Sequence, residues 1–288
     1  MKTNAIIRII LFGLGILILG SLLVGGVLLH LFAVNGGISE VMEIISDYLP
    51  TVDGTVASKG TINAEDVKNM EIHWTSGSVI IQHANVPNII FSETDGLKKS
   101  DQMVWKLKGS TLVINCSRYQ INIGKSKEKD LVITLPLNCS LKEVEISTVS
   151  ANITADSLDA GKVSIEGVSG KCDFTGKTVL GQLKVETVDG DVTFNGYLWA
   201  LDYEGVEADF RGNFVSAPDS IDMSTVDGSI DITLPADTGF TAELETVSGN
   251  FSSDFDFTSS GKRYTCGDGK CAIEIEGVSG SINLRKAN

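Results

Sequence analysis

The sequence predicts an all-β fold: a β-solenoid-like stack of repeats of about 20 residues, preceded by one N-terminal transmembrane helix and a short juxtamembrane helix. Three observations carry this. The residues between Arg8 and Glu40 hold no charge, a valine-centred motif recurs seven times in the second half, and apolar and polar residues alternate around every copy of it.

The uncharged run is 31 residues long, and its heart, Ile9–Leu29, is Ile, Leu, Val, Gly, Phe and one Ser. As a helix it would cover roughly 30 Å, the thickness of a bilayer's hydrocarbon core. It is apolar on every face, which suits lipid. A cleaved signal peptide would have a shorter apolar region and a small-x-small site. Here the run ends in Leu31-Phe32-Ala33-Val34, and no Cys follows that would make a lipoprotein. Gly13, Gly20, Gly25 and Gly26 are ordinary in a membrane helix and are not read as a pairing motif. Lys2 and Arg8 stand on one side of the run, Glu40, Glu43, Asp47 and Asp53 on the other. The positive-inside rule then puts the N-terminus in the cytoplasm and the rest outside a cell membrane crossed once, with the bilayer as first partner. Residues 1–34 are assigned to this anchor.

Residues 35–65 are read as a juxtamembrane helix and linker. Ile38, Val41, Met42, Ile45, Tyr48 and Leu49 fall on one helical face, and Pro50 stops the helix. Residues 50–65 are rich in Gly, Thr, Ser and Asn and read as a loop.

Residues 66–288 are assigned to one extracellular β-strand-repeat domain. The motif Thr/Gly-Val-Ser/Asp/Glu-Gly/Ala is centred on Val149, Val168, Val188, Val206, Val226, Val247 and Val278, at steps of 18 to 21 residues with one of 31. These valines are taken as the core anchors of the repeat. Five and three positions before each anchor, and four after it, every residue is apolar or Cys; the interleaved positions are polar. Two after the anchor stands a small residue, among them Gly170, Gly190, Gly228, Gly249 and Gly280, read as turn residues. Each copy is thus a strand, a tight bend and a second strand, with one face in and one out. A single copy cannot bury its own apolar face, whereas stacked copies share one. Constant spacing favours parallel coils; an antiparallel meander with hairpins at Asp-Gly is the alternative.

The stretch Met70–Ile81 fits the same template, with Thr75 at the anchor position and Gly77 at the small one. Ile89–Ser92, Val104–Lys108, Leu112–Cys116 and Leu131–Leu135 are further strand candidates, so residues 66–140 read as an irregular part of the same sheet.

The phrases Ile-His-Trp-Thr-Ser-Gly-Ser-Val (72–79), Leu-Val-Ile-Thr-Leu-Pro (131–136), Val-Glu-Ile-Ser-Thr-Val-Ser-Ala (144–151) and Glu-Thr-Val-Asp-Gly-Asp-Val (186–192) resemble the DUF4097 family of bacterial β-strand-repeat, adhesin-like proteins. The chain is also similar to membrane-anchored, outward-facing members found beside envelope-stress operons in Gram-positive bacteria. The resemblance implies a solenoid-like fold and a surface location, and brings no catalytic residues. Glu207-Ala208 and a Cys pair around Gly-Asp-Gly depart from the pattern.

Candidate chemistry is sparse. Beyond Val34 the chain has 21 basic against 37 acidic residues. That excludes nucleic acid as a partner, since phosphate binding draws on Lys and Arg. His73 and His83 lack an evident third metal ligand, and Asp53, Asp189, Glu207 and Asp227 read as turn residues, since calcium needs several carboxylates together. No metal or other cofactor is expected. Acids are spread along the strands, which argues against a β-helix polysaccharide-active enzyme. Cys266 and Cys271 bracket a short loop and are candidates for a disulfide outside the cell. Cys172 sits on a core ladder, and Cys116 and Cys139 have no assignable partner. Tyr197, Trp199 and Tyr203 form either strand-end packing or an aromatic edge able to stack on sugar. The expected function is a non-catalytic surface-binding module contacting cell wall, glycan or protein; the alternative is an accessory of an envelope-stress or membrane-sensing system.

Overall fold

The computed structural model describes residues 52–117 and 128–287. The anchor Ile9–Leu29 and the amphipathic stretch Ile38–Leu49 lie outside the described residues. Among the described residues no helix is long and apolar enough to cross a membrane. The only helical turns there are two short 3₁₀ segments, Ala64–Asp66 and Lys99–Asp101.

Twenty strands make up the described fold. The first group is β1 (Thr55–Val56), β2 (Lys59–Asn63), β3 (Asn69–Ala84), β4 (Asn88–Glu93), β5 (Val104–Lys108), β6 (Thr111–Asn115) and β7 (Lys129–Pro136). The repeats supply β8 (Leu141–Asp156), β9 (Asp159–Ser169), β10 (Cys172–Asp189), β11 (Val192–Gly205), β12 (Phe210–Phe214), β13 (Ser220–Asp227), β14 (Ile230–Leu234), β15 (Phe240–Thr246) and β16 (Asn250–Ser253). β17 (Thr258–Ser260) and β18 (Arg263–Cys266) form a hairpin, and β19 (Cys271–Ser279) and β20 (Ser281–Lys286) make the last copy.

Each copy has a first leg, a bend and a second leg, and every leg pairs in parallel with the same leg of the copy beside it in the stack. Val144 lies beside Val163 and Ile146 beside Ile165; Leu183 and Val185 continue the rows. On the second legs Ile153, Cys172, Val192, Phe210 and Ile230 succeed one another. The parallel register makes this a coil rather than a meander. Met70 and Ile72 of β3 lie beside Val144 and Ile146, so the irregular first half extends the same stack.

Alternation decides what is inside. Of the 21 ladder positions read from the sequence, all but Phe251 are buried, and Phe251 packs against the core. Each such aliphatic side chain contributes roughly 1.5–3 kcal/mol. Phe174, Phe194 and Phe214 stack along the axis with centroids 5.9 and 5.6 Å apart.

The bend explains the small residues. Thr148 Oγ1 accepts from the Ala151 amide at 2.8 Å, and Thr246 Oγ1 from the Gly249 amide at 2.9 Å. Ser169 and Ser248 donate to the carbonyls of Val149 and Val278 in adjacent coils. A Cβ on Gly170, Gly190, Gly228, Gly249 or Gly280 would come under 3.0 Å from the carbonyl of the small residue in the adjoining coil. Gly170 and Gly280 also hold φ of 118° and 105°, where only glycine is unstrained.

The valines themselves are not core. Val247, Val149 and Val168 are 70%, 52% and 40% exposed, and Val188, Val206, Val226 and Val278 are half-buried. Parity is the reason: positions five and three before the valine face inward, so the valine, an odd step away, faces outward.

The last two copies are exchanged in space. β19 pairs with β13 on one side and β15 on the other, so the seventh copy lies between the fifth and the sixth. The 31-residue step is the detour that permits this: β16, β17 and β18 run out over the end before β19 returns. Both ends close with antiparallel strands, β4 and β2 beside β7, β5 and β1 beside β6, and β18 beside β15. The segment 50–65 is therefore not all loop, because β1 and β2 belong to the sheet.

This exchange also corrects the disulfide expectation. Cys266 and Cys271 both pair with Phe240, from opposite sides of β15. Two strand spacings put them roughly 10 Å apart, beyond the roughly 7 Å Cα reach of a bridge. All five cysteines are free. The loop between the two crosses over Gly239, where a Cβ would strike Asp268.

Candidate functional site

The aromatic trio divides between core and surface. Tyr203 is fully buried, donates its hydroxyl to the Ala208 carbonyl at 3.0 Å and stacks near Phe210; burial holds its phenol above the usual range. Tyr197 and Trp199 face out, 43% and 53% exposed, on either side of the buried Leu198. Leu198 pairs with Leu180 and Ala200 with Gln182, which sets Trp199 opposite Gly181. The Asp219 amide donates to the Trp199 carbonyl at 2.9 Å from the coil on the other side, and Val215 is exposed beside Tyr197, its amide bonded to the Gly196 carbonyl. The result is an aromatic corner with a bare glycine flank and an acidic flank.

A second surface is the outer face of the first legs. Glu166, Glu186 and Glu204 lie one beside the next in register, as do Asp202, Asp222 and Glu274. Like charges directly opposite repel. Lys184 lies among them, 2.7 Å from Glu186 and 3.9 Å from Asp202. Partial burial, then Glu186 and Asp202, push the Glu204 carboxyl above its ordinary range; the hydrogen bond to Glu186 raises Lys184. Sequence reading found the acids but not their alignment, which only the parallel register supplies.

A buried ion pair was not legible at all. Lys129 Nζ donates to Glu93 Oε2 at 2.6 Å, to the Asp101 carbonyl at 2.7 Å and to the Cys116 carbonyl, and lies 5.0 Å from the Trp74 ring centroid. Glu93 Oε1 accepts from the Met103 amide at 2.6 Å. Trp74 Nε1 donates to the Lys129 carbonyl at 2.9 Å. This group ties five segments of the N-terminal end together, those carrying Trp74, Glu93, Asp101 with Met103, Cys116 and Lys129. Near it a cavity of about 360 Å³ opens at the bend, lined by His73, Trp74, Asn115, Cys116, Ser147 and Val149.

The remaining candidates stay apart. His73 bonds Glu71 at 2.8 Å on the first leg of β3, while His83 lies near the Asp156 and Cys139 carbonyls on its second leg. Asp227 accepts from Ser279 at 3.0 Å, a bend contact. Among the described residues no group of three or more His, Cys, Asp or Glu is arranged to hold a metal ion. Burial pushes Cys172 and Cys271 up to about 12, so both thiols are inert in packing positions.

No curated protein matches the chain by sequence. Among solved structures, a candidate cell adhesion protein from Clostridium sporogenes is 15% identical, covering 80% of this chain and 99% of its own, with a TM-score of 0.37. A candidate adhesin from Bacteroides fragilis is 15% identical, covering 78% and 95%, with a TM-score of 0.46. A candidate lipid-binding protein from Parabacteroides distasonis is 13% identical, covering 81% and 98%, with a TM-score of 0.28. The Toastrack DUF4097 family model matches residues 130–285, more than half of the chain. The repeated coil and this match together place the chain in the DUF4097 (Toastrack) family.

Proposed function

We propose that this chain is a non-catalytic, single-pass cell-surface protein whose β-repeat domain contacts cell wall, glycan or protein. Ile9–Leu29 anchors it in the cell membrane, with the N-terminus cytoplasmic and the repeats outside. The observation that supports this most is how the side chains divide. Glu93, Lys129 and Tyr203 are taken up in internal bonds, while Tyr197, Trp199 and the acidic rows are held outward on a rigid stack. Such a stack presents fixed side chains without moving parts.

The test uses the full chain on intact cells. A membrane-impermeant amine reagent should label lysines of the repeat domain, and photo-crosslinking should capture a wall, glycan or protein partner. Labelling only after lysis, or no captured partner in any format, would overturn the reading. A second reading, an accessory acting on a neighbouring membrane protein in an envelope-stress system, is favoured by the rows of carboxylates along the outer face of the first legs. Deletion should then alter a stress response, and crosslinking within the membrane should recover that neighbour.

A further inference from the structure

We infer that the corner built by Tyr197 and Trp199 binds the pyranose rings of a neutral glycan, a site that rests on the surface-binding reading above. Of the three tryptophans, Trp74 is buried, Trp105 is half-buried and packs on Phe91, and Trp199 is exposed. The ring contacts that hold the core together involve neither Tyr197 nor Trp199. An indole and a phenol held outward on one strand expose apolar faces that the fold does not use.

Their arrangement selects the ligand. Side chains two apart on a strand stand roughly 7 Å apart, a span that consecutive sugar rings can cover. Beside Trp199 the next two coils carry Gly181 and Gly161, which raise no side chain against a bound chain. Val215 and Val179 extend the apolar strip at Tyr197. C–H faces of pyranoses stack on such rings, while hydroxyls bond to carboxylates. The exposed Asp219 supplies an acceptor on the open side. Its charge, and a net charge of −14 on the chain, disfavour phosphate, sulfate and uronate groups as well as anionic lipid.

The test is titration of the full chain in uncharged detergent micelles. The probes are an N-acetylglucosamine tetramer and a glucose tetramer, with a sulfated oligosaccharide and phosphatidylcholine vesicles as the other arms. A neutral tetramer should bind saturably and change tryptophan fluorescence. Trp199→Ala should weaken it about tenfold, the Tyr197→Ala/Trp199→Ala pair should weaken it further, and Trp199→Phe should lose less. Both positions are exposed, and unchanged melting shows that the variants fold. The inference fails if neither neutral tetramer binds, if the double variant binds equally, or if the sulfated probe or the vesicles bind in their place. Should the double variant still capture its partner on cells, this site is wrong while the surface-binding reading stands.

Discussion

Thr225 lies directly beside Gly277, though 51 residues separate them in the chain, and Thr246 flanks the same glycine from the other side. The methyl of Thr225 is 3.8 Å from where a Gly277 Cβ would be. Along the stack the residue before each valine runs Thr148, Gly167, Thr187, Gly205, Thr225, Gly277, Thr246. Threonine and glycine alternate without a break only in the exchanged order.

That order is testable with engineered cysteines. Val226→Cys with Val278→Cys puts thiols on adjacent strands, within disulfide reach. Val226→Cys with Val247→Cys puts them two strands apart. The first pair should bridge on mild oxidation and the second should not, read by non-reducing electrophoresis after the native thiols are blocked. In the unaltered protein, five thiols should titrate with a thiol reagent in denaturant.

The close approach at the bends makes Gly170→Ala costly. Its φ and the Ala151 carbonyl both oppose a Cβ, and the loss should be about 2 kcal/mol. Gly261 also has a positive φ but open space around it, so Gly261→Ala should lose about 1 kcal/mol. Chemical denaturation of the two variants separates strain from collision.

Breaking the N-terminal pair should be severe. Lys129→Met leaves Glu93 buried without its cation, and Glu93→Gln does the reverse. Each should lose about 3–5 kcal/mol, seen as a fall in denaturation midpoint, with protease sensitivity appearing first at the N-terminal end.

The acidic face gives a pH dependence with a definite sign. The folded state raises the pKa of Glu204 above its unfolded value. Between those two values the folded chain holds more protons, so this group's contribution falls as pH rises through that window. Glu204→Gln should remove the penalty and stabilise the protein at pH 7 by about 0.5 kcal/mol. Lys184→Gln should act oppositely, and added salt should shrink both effects. Melting curves at pH 4 and pH 7 check the sign.

The ladders were legible because period-two alternation repeats in every copy. The outward valines were legible in principle, since counting parity from Val144 and Ile146 places Val149 outside; their constancy marks the bend and not the core. The exchange of the last two copies left a trace in the Thr/Gly alternation, but the 31-residue step alone does not reveal it. Glu93 and Lys129 carry no local signal: nothing in the intervening chain marks them as partners. For the sugar-facing corner, sequence grouped Tyr197, Trp199 and Tyr203, and only the fold separates the buried Tyr203 from the two exposed rings and shows what surrounds them.

The interleaved last copy bears on biosynthesis. A growing chain that coiled up in the order of its synthesis would lay Val247's segment onto Val226's and leave no slot for β19 and β20, which follow it. The ribosome must deliver β19 and β20 before the preceding segment can settle, so they enter as a wedge. A nonsense change between Ser260 and Cys271 would therefore not shorten the stack by one layer. It would leave two layers facing each other with mismatched threonines.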